Sequence, residues 1–403
     1  MTMPNRQFDL LTLQQAMDIL GVSRATIDRW RKDKRLPYVK IGKEIFVEEK
    51  KLHSWMQTFS QGNAEPLAKE TPSASPRLVT IGYQSGAALL WSPLIIRKLG
   101  LFEEQLQRLC PDENIRIEWV HAPNGIELVE ELIAGRVRIA SVGDFPMMMS
   151  MALSRVLTKF KPVLLAFDGK TPVGEGISLV VPSSRSSRKP LSAASIATVG
   201  HSSASFRLDE WTNALDLRTP PIIHRGMSDC LDGIVGGSLD ASVLWEPYLS
   251  WAKMAGAGVT VSGEGTGNDY LTGLLADDRW AQDNEAVTVA YLAAHLQAHQ
   301  FIRNSPDMAA RLIHGATGYP VEVVAKAISK IRWDASLYNR DLQTLESLDK
   351  EDPVRFPESQ PKPGVSRHLP IRKPYLHYAA DSLKLPALPD APLPGDWSEQ
   401  PIY

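Results

Sequence analysis

Cysteine is nearly absent from this chain: Cys110 and Cys230 are the only two among 403 residues, and they lie far apart. So sparse a supply excludes a disulfide-stapled fold and a four-cysteine metal site, and it fits a reducing compartment. Long apolar runs are lacking as well. No stretch approaches the ~18 apolar residues that a bilayer crossing demands, so no membrane span is expected. The opening MTMPNRQFDLLTLQQAMDIL carries Asp9 and Asp18 and no uninterrupted apolar run, which speaks against an export signal. An excess of one charge is missing too. A net charge of -2 rules out a polyanion-binding surface over the whole protein, and 43% hydrophobic with 22% charged residues describes an ordinary globular chain. The expectation is a cytoplasmic protein, too long for one core and divided into roughly two or three domains.

Composition breaks the chain into four parts. Residues 1–57 form a small N-terminal domain. Residues 58–77 fall in QTFSQGNAEPLAKETPSASPR, a Pro/Ser/Ala-rich stretch without periodicity that reads as a flexible linker. From 78 to 348, strand-like runs (LVTIGY, IRIEWV, VRIASV, ISLVVP, IATVG, ASVLW) alternate with helix-like ones, the pattern of an α/β domain with largely parallel sheets. Residues 349–403 are dense in proline and read as a tail, either extended along the surface or disordered.

The even charge balance hides one basic segment. Between Val22 and Lys43, eight Lys/Arg face only Asp28 and Asp33, so this segment is net +6 in a chain of net -2. Thr12 and Gln15 have the spacing of a capping box before a helix Leu13–Leu20, which Gly21 ends. Ser23 then caps a second helix over about Arg24–Lys34. Its Ile27 and Trp30 face inward, leaving Arg24, Thr26, Asp28, Arg29, Arg31 and Lys32 mostly outward. A short Gly turn between two such helices is the arrangement that sets the second into a DNA major groove. YVKIGKEIFV alternates around Gly42–Lys43 as a two-stranded hairpin, carrying Lys40 and Lys43 toward phosphates, and Glu48–Met56 reads as a closing helix.

The larger part presents repeated junctions at which a strand runs through a small polar loop into a helix. They are Gln84-Ser85-Gly86, Ser141-Val142-Gly143-Asp144, Gly200-His201-Ser202-Ser203 and Trp245-Glu246-Pro247. Helix N-termini leave amides without intrahelical partners, so such junctions gathered at strand ends favour an anion in one crevice.

Two resemblances follow from these residues. GVSRATIDRWRKDKRLPYVKIGKEIFV resembles the small winged helix-turn-helix of the excisionase and MerR-like families. IGYQ, GLFEE, EWV with GIELVEELIAGRVRIASVGDFP, GHSSAS and LDASVLWEPYLSWA resemble a type II periplasmic-binding-protein-like domain of the aliphatic sulfonate, taurine and nitrate group. The fold they imply is α/β and two-lobed, with lobe 1 over about 78–170 and 275–348, lobe 2 over about 171–274, and the winged domain in front.

By position, the second resemblance places Gln84, Ser85, Gly86, Gly143, Asp144, Ser202, Ser203, Trp245 and Glu246 around a small anionic or zwitterionic effector. Three residues carry further readings, the first being Trp245, which also reads as a core residue. Asp144 also suits a helix cap, and Glu246 would repel an anion unless it reads an amine. The first resemblance implies DNA contact through Ser23, Arg24, Thr26, Arg29, Arg31, Lys32, Lys40 and Lys43. Together they imply a ligand-responsive regulator on operator DNA, as a homodimer or higher homo-oligomer. The alternatives are a cytosolic enzyme of the same fold acting on a sulfonate or sulfinate, and an excisionase-like protein whose large domain takes no ligand.

Among enzymes of this fold, a desulfinase branch uses a cysteine at the first loop, where this chain has Gln84-Ser85, and a thiamin-pyrimidine-forming branch uses a Cys-rich motif, where this chain has only lone cysteines. Cys230 sits on an apolar helical stripe and is read as inert. His295 and His299 share a helical face without a third ligand nearby in sequence, so no metal, cofactor or catalytic residue is expected.

If Arg29 approaches base edges, Arg29→Ala lowers affinity for the specific operator by about 1–3 kcal/mol and leaves non-specific binding nearly intact. Lys43→Ala instead weakens binding to every sequence and lowers the salt slope by about one. Titrations at several salt concentrations separate the two, and identical behaviour of both variants refutes the assignment.

Overall fold

The computed structural model describes residues 10–20, 24, 27, 36, 38–41, 44–48, 76–157, 159–173, 175–184, 190–261, 268–350, 369–387, 389 and 391–403. The chain divides into two compact units, Met1–Ala74 and Ser75–Tyr403.

In the first unit, Thr12 N donates to Gln15 Oε1 at 2.9 Å and Gln15 N donates to Thr12 Oγ1 at 3.2 Å, the reciprocal capping box that starts the helix Leu13–Leu20. Strands β1 (Leu10–Thr12), β2 (Val39–Ile41) and β3 (Glu44–Glu48) form an antiparallel sheet in the order β1-β3-β2. Ile41 pairs with Glu44, so a two-residue connection closes the expected hairpin. Leu13, Ala16, Ile27, Leu36 and Val47 make the core, with Ile27 inward as its helical spacing requires.

One expectation is corrected. Glu48 pairs with Leu10 and belongs to β3 rather than to a closing helix, because β1 extends the hairpin into a third strand. The rest of that helix lies outside the described residues, as do Ser23, Thr26, Arg29, Arg31, Lys32 and Lys43. Arg24 is helical and exposed, and Lys40 lies on β2.

The second unit contains two sheets. The larger has the order β14-β7-β13-β6-β4-β5, built from β4 (Arg77–Tyr83), β5 (Ile115–His121), β6 (Ile139–Gly143), β7 (Pro162–Thr171), β13 (Tyr270–Asp277) and β14 (Arg332–Trp333). The smaller has the order β10-β9-β11-β8-β12, built from β8 (Ile177–Pro182), β9 (Ile196–Val199), β10 (Ile222–His224), β11 (Ala241–Trp245) and β12 (Gly258–Thr260).

In each sheet a three-strand parallel half joins an antiparallel half. β6, β7 and β11 are buried along their whole length, as strands covered on both faces must be, and their sequences are accordingly near-continuous apolar runs. The chain leaves the larger lobe at the end of β7 and returns to it at Tyr270, so two crossings join the lobes.

Two further departures concern chain ends. The stretch 270–274, expected in lobe 2, is part of β13 in the larger sheet. The described part of the C-terminal segment, from residue 369 on, is not simply extended: Lys373–Ser382 is a helix that buries Tyr375, Leu376, Ala379 and Ala380, and Tyr403 is itself buried. Its proline density concealed that apolar stripe. Leu164 N donates to Pro370 O and Arg372 N donates to Leu164 O, which ties the segment to β7.

The same segment helps to enclose a charge network. Lys170 Nζ and Asp341 Oδ2 are fully buried at 2.7 Å, and Trp397 Nε1 donates to Asp341 Oδ1 at 2.8 Å. Burial pushes the Lys170 pKa down, and Asp341 opposes the shift. Removing one member strands the other. Asp341→Asn should cost about 3–5 kcal/mol in urea unfolding, whereas Lys170→Met with Asp341→Leu should recover most of that loss. A single variant within about 1 kcal/mol of the parent sinks the idea that this pair is indispensable.

Candidate functional site

The four polar junctions meet where the lobes face each other, because all four follow strand C-termini. Gln84 is buried and donates Nε2 to Ser141 O at 3.2 Å, tying the first loop to β6. Ser85 Oγ lies 2.8 Å from His121 Nε2, and Ser85 O accepts from Trp91 Nε1 at 2.9 Å. Burial holds the His121 pKa below the usual imidazole value, against the pull of Glu127. Gly86 O accepts from Trp245 Nε1 at 2.7 Å across the lobes, so this indole serves as a lobe-to-lobe bracket.

Gly143 stands at a close approach of the two lobes. A Cβ there would lie 2.7 Å from Ser203 Oγ and 3.2 Å from the Tyr270 hydroxyl. Asp144 is fully buried as the first residue of the helix Asp144–Val156 and accepts from Phe145 N at 2.7 Å, but the N-cap position is Gly143 and no side chain caps this helix, so the cap reading is corrected.

The opposite lobe answers Asp144 with Arg207, which the sequence reading did not single out. Arg207 lies one turn into the helix Ser203–Ala214, and its Nη2 is 2.7 Å from Asp144 Oδ2 and 3.0 Å from Asp269 O. Its guanidinium lies 5.1 Å from the Tyr270 ring centroid. Burial opposes the charge, but Asp144 and Glu210 hold its pKa above the ordinary range. A positional signal existed: GHSSASFR places an arginine four residues after Ser203, on the same helical face.

Two expected ligand contacts are otherwise engaged. Ser202 Oγ donates to Val199 O at 2.6 Å and accepts from the amides of Ala204 and Ser205, so it caps its helix rather than offering a free hydroxyl. Glu246 is fully buried, with Lys330 Nζ at 2.7 Å, Ser250 Oγ at 2.9 Å and Ser250 N at 3.0 Å. Its carboxylate is already neutralised, which removes the rationale for an amine-reading role. At the rim, Arg225 forms a two-pronged ion pair with Glu127 at 3.0 and 3.1 Å.

Two cavities lie away from these residues. One of about 470 Å³ is lined by Leu132, Arg138, Val156, Leu157 and Trp280, and another of about 490 Å³ by Ile222, His224, Asp229 and Leu239. Cys230 is buried and its thiol is pushed up to about 11, so it is protonated and inert at neutral pH. The expectation that His295 and His299 have no third ligand is corrected: Asp168 joins them in the larger lobe, brought there by β7 from 127 residues before His295.

The family model described as "Helix-turn-helix domain" matches residues 10–60. The larger part is 26% identical over 255 residues to a protein of Escherichia coli (strain K12) named for binding aliphatic sulfonates, covering 62% of this chain and 75% of that one. A Bacillus subtilis (strain 168) protein of the same name is 29% identical over 226 residues, covering 55% of this chain and 65% of that one.

Among solved structures, the alkanesulfonate-binding protein of Xanthomonas axonopodis pv. citri bound to MOPS superposes with a TM-score of 0.54 at 20% identity. It covers 69% of this chain and 92% of its own. The nitrate-binding protein of Synechocystis PCC 6803 does so with 0.57 at 14%, covering 79% and 92%. The chain thus joins a helix-turn-helix domain to a two-lobed α/β domain of the periplasmic-binding-protein-like fold, similar to sulfonate-binding proteins. No helix among the described residues is long and apolar enough to cross a membrane.

The close approach at Gly143 yields a direct test. Gly143→Ala should destabilise the second unit by about 1–3 kcal/mol by overpacking, and Ser203→Ala in the same background should restore much of it. Thermal unfolding of the full chain measures both, and no rescue by the second substitution means the lobes do not meet there as described.

Proposed function

We propose that the chain is a ligand-responsive DNA-binding regulator. Its N-terminal domain reads operator DNA and its two lobes sense a small sulfonate-like anion. The observation that carries this reading is the buried Asp144–Arg207 pair between the lobes. A guanidinium out of water binds an anion strongly, by charge-assisted and often two-pronged hydrogen bonds. Asp144 is the resident anion, and an incoming sulfonate competes with it for Arg207.

Gly143 and Ser203 border that point, and we assign Ser85, Gly86 and Trp245, which meet across the lobes through the Trp245–Gly86 bond, to the same ligand site. Gln84, Ser202 and Glu246 support the loops around it. The relatives named for sulfonates and the alkanesulfonate-binding structure supply the ligand class by analogy. Exchange of Asp144 for a ligand changes what holds the lobes together, and such a difference in affinity between two lobe arrangements is what a response on DNA requires.

The matched helix-turn-helix domain supports the DNA half, with Arg24, Thr26 and Arg29 facing base edges and Ser23, Arg31, Lys32, Lys40 and Lys43 facing phosphates. A homodimer on two half-sites in the cytoplasm completes the reading, and binding rather than catalysis is the role of the cleft.

The experiment is a thermal-shift screen of the full chain against taurine, alkanesulfonates, an aromatic sulfonate, nitrate, sulfate and phosphonates, followed by operator titration with the hit. A ligand at 100 times its Kd adds about 2.7 kcal/mol, a rise of a few degrees in Tm. Arg207→Gln combined with Asp144→Asn keeps the site neutral and hydrogen-bonded, and should weaken the hit about 30-fold or more. If none of these anions shifts Tm, or if the double variant binds as well as the parent, the proposal fails.

A further inference from the structure

We propose that the larger lobe carries a buried divalent metal site formed by Asp168, His295 and His299, distinct from the cleft and independent of what the cleft binds. His295 and His299 stand one turn apart on the fully formed helix Glu285–Asn304, with ring centroids 4.1 Å apart, and Asp168 rises toward them from β7. All three side chains are fully buried, and one donor atom from each lies within 4.8 Å of the others. His299 Nε2 is 3.1 Å from Asp168 Oδ1, close to the ~3.3 Å that separates two ligands each bound at about 2.0–2.1 Å in a tetrahedral shell.

Proton counting favours a cation. His295 Nε2 lies 2.8 Å from Phe167 O, a carbonyl that only accepts, so Nε2 carries the ring proton and Nδ1 is left bare, turned into the cluster. A histidine held by one nitrogen on a backbone carbonyl while the other faces inward is the usual outer-shell arrangement of a metal-bound imidazole. Ser92 Oγ lies 3.0 Å from that Nδ1 and 2.8 Å from Asp168 Oδ2, yet it has one hydrogen for two acceptors. Ser141 Oγ donates to the same carboxylate oxygen at 2.8 Å, and His299 Nε2 reaches the other.

With the Asp168 carboxylate ionised, four contacts share three protons around it, and the missing positive charge comes either from a proton on Asp168 or from a cation. The nearby cations are engaged: Lys170 Nζ bonds Asp341 and Ser336 O, and Arg303 Nη1 bonds Trp333 O.

A metal ion supplies the missing positive charge and uses the bare Nδ1, His299 Nε2 and a carboxylate oxygen, with Ser92 Oγ placed as a fourth group. Two imidazoles and one carboxylate suit zinc and its divalent neighbours. Because every member is buried, the ion has a structural role: it fastens the long helix to β7, the strand that leads into the smaller lobe.

The test uses the untagged full chain, expressed in minimal medium supplemented with Zn²⁺ or with Co²⁺ and purified without chelator. Elemental analysis should find about one ion per chain, and the cobalt form should show visible d–d bands. Metal content should fall at least tenfold in His299→Gln and in Asp168→Asn. To separate loss of metal from loss of folding, the parent chain is also unfolded in guanidinium with chelator and refolded with and without Zn²⁺, and the Zn²⁺ sample should unfold at higher denaturant. Metal below about a tenth of an equivalent together with identical unfolding midpoints overturns the proposal and leaves a shared proton in the cluster. Full metal retention in both variants also overturns it, since the ion then sits elsewhere.

Discussion

A guanidinium removed from water has to be answered by an anion, and the arrangement of the two lobes follows from how this protein answers Arg207. Its partner Asp144 comes from the opposite lobe at 2.7 Å. Desolvating both charges is worthwhile only if geometry is tight and the remaining hydrogen-bonding capacity is used. Asp269 O and Ser203 O take further guanidinium protons, and Phe145 N donates to the carboxylate. That tightness dictates a residue without a side chain at Gly143, where a Cβ would strike Ser203. It also makes the pair the natural point for an external anion to act, since any ligand that takes Arg207 leaves Asp144 unpartnered and changes the force between the lobes.

The same rule shapes the larger lobe, where charge is buried away from any cleft. β7 carries Asp168 and Lys170 two residues apart, separated by Gly169, whose Cβ would stand 2.7 Å from Leu89 O. Lys170 is matched by Asp341, and Asp168 is surrounded by two serines and two histidines. A register shift opposite Leu271–Gly273 breaks the strand's alternation at these residues: Lys170 lies over the Phe167 ring while Asp168 meets Ser92, Ser141 and His299, so each charge needs a separate answer. The C-terminal segment contributes to one of them through Trp397, which explains why its last residue, Tyr403, is buried rather than trailing in solvent.

Each half of the chain has a physical reason to respond to the other only if ligand exchange at the lobes alters some surface that the DNA-bound form uses. The relatives of the larger part are binding proteins, and the helix-turn-helix match covers residues 10–60. In the proposed reading, a basic segment within that match and a buried anion–cation pair in the larger part are complementary devices: the first would read a polyanion, the second a small anion.

The sequence by itself determined several features that depend only on neighbours along the chain. Thr12 and Gln15 formed their capping box, the hairpin closed over two residues between Ile41 and Glu44, and the strands of ISLVVP and ASVLW came out over the residues of those runs. Hydrogen bonds three residues apart and side-chain periodicity are local, so they can be read without coordinates. Only the tertiary structure decided the charge pairings. Arg207 lies 63 residues from Asp144, and His299 lies 131 from Asp168. No periodicity links such positions; sheet order and the crossing of the chain between lobes bring them together, and burial then fixes which acid each cation must meet. Glu246 shows the same limit from the other side, since its position at a strand end suggested a ligand contact until folding gave it Lys330.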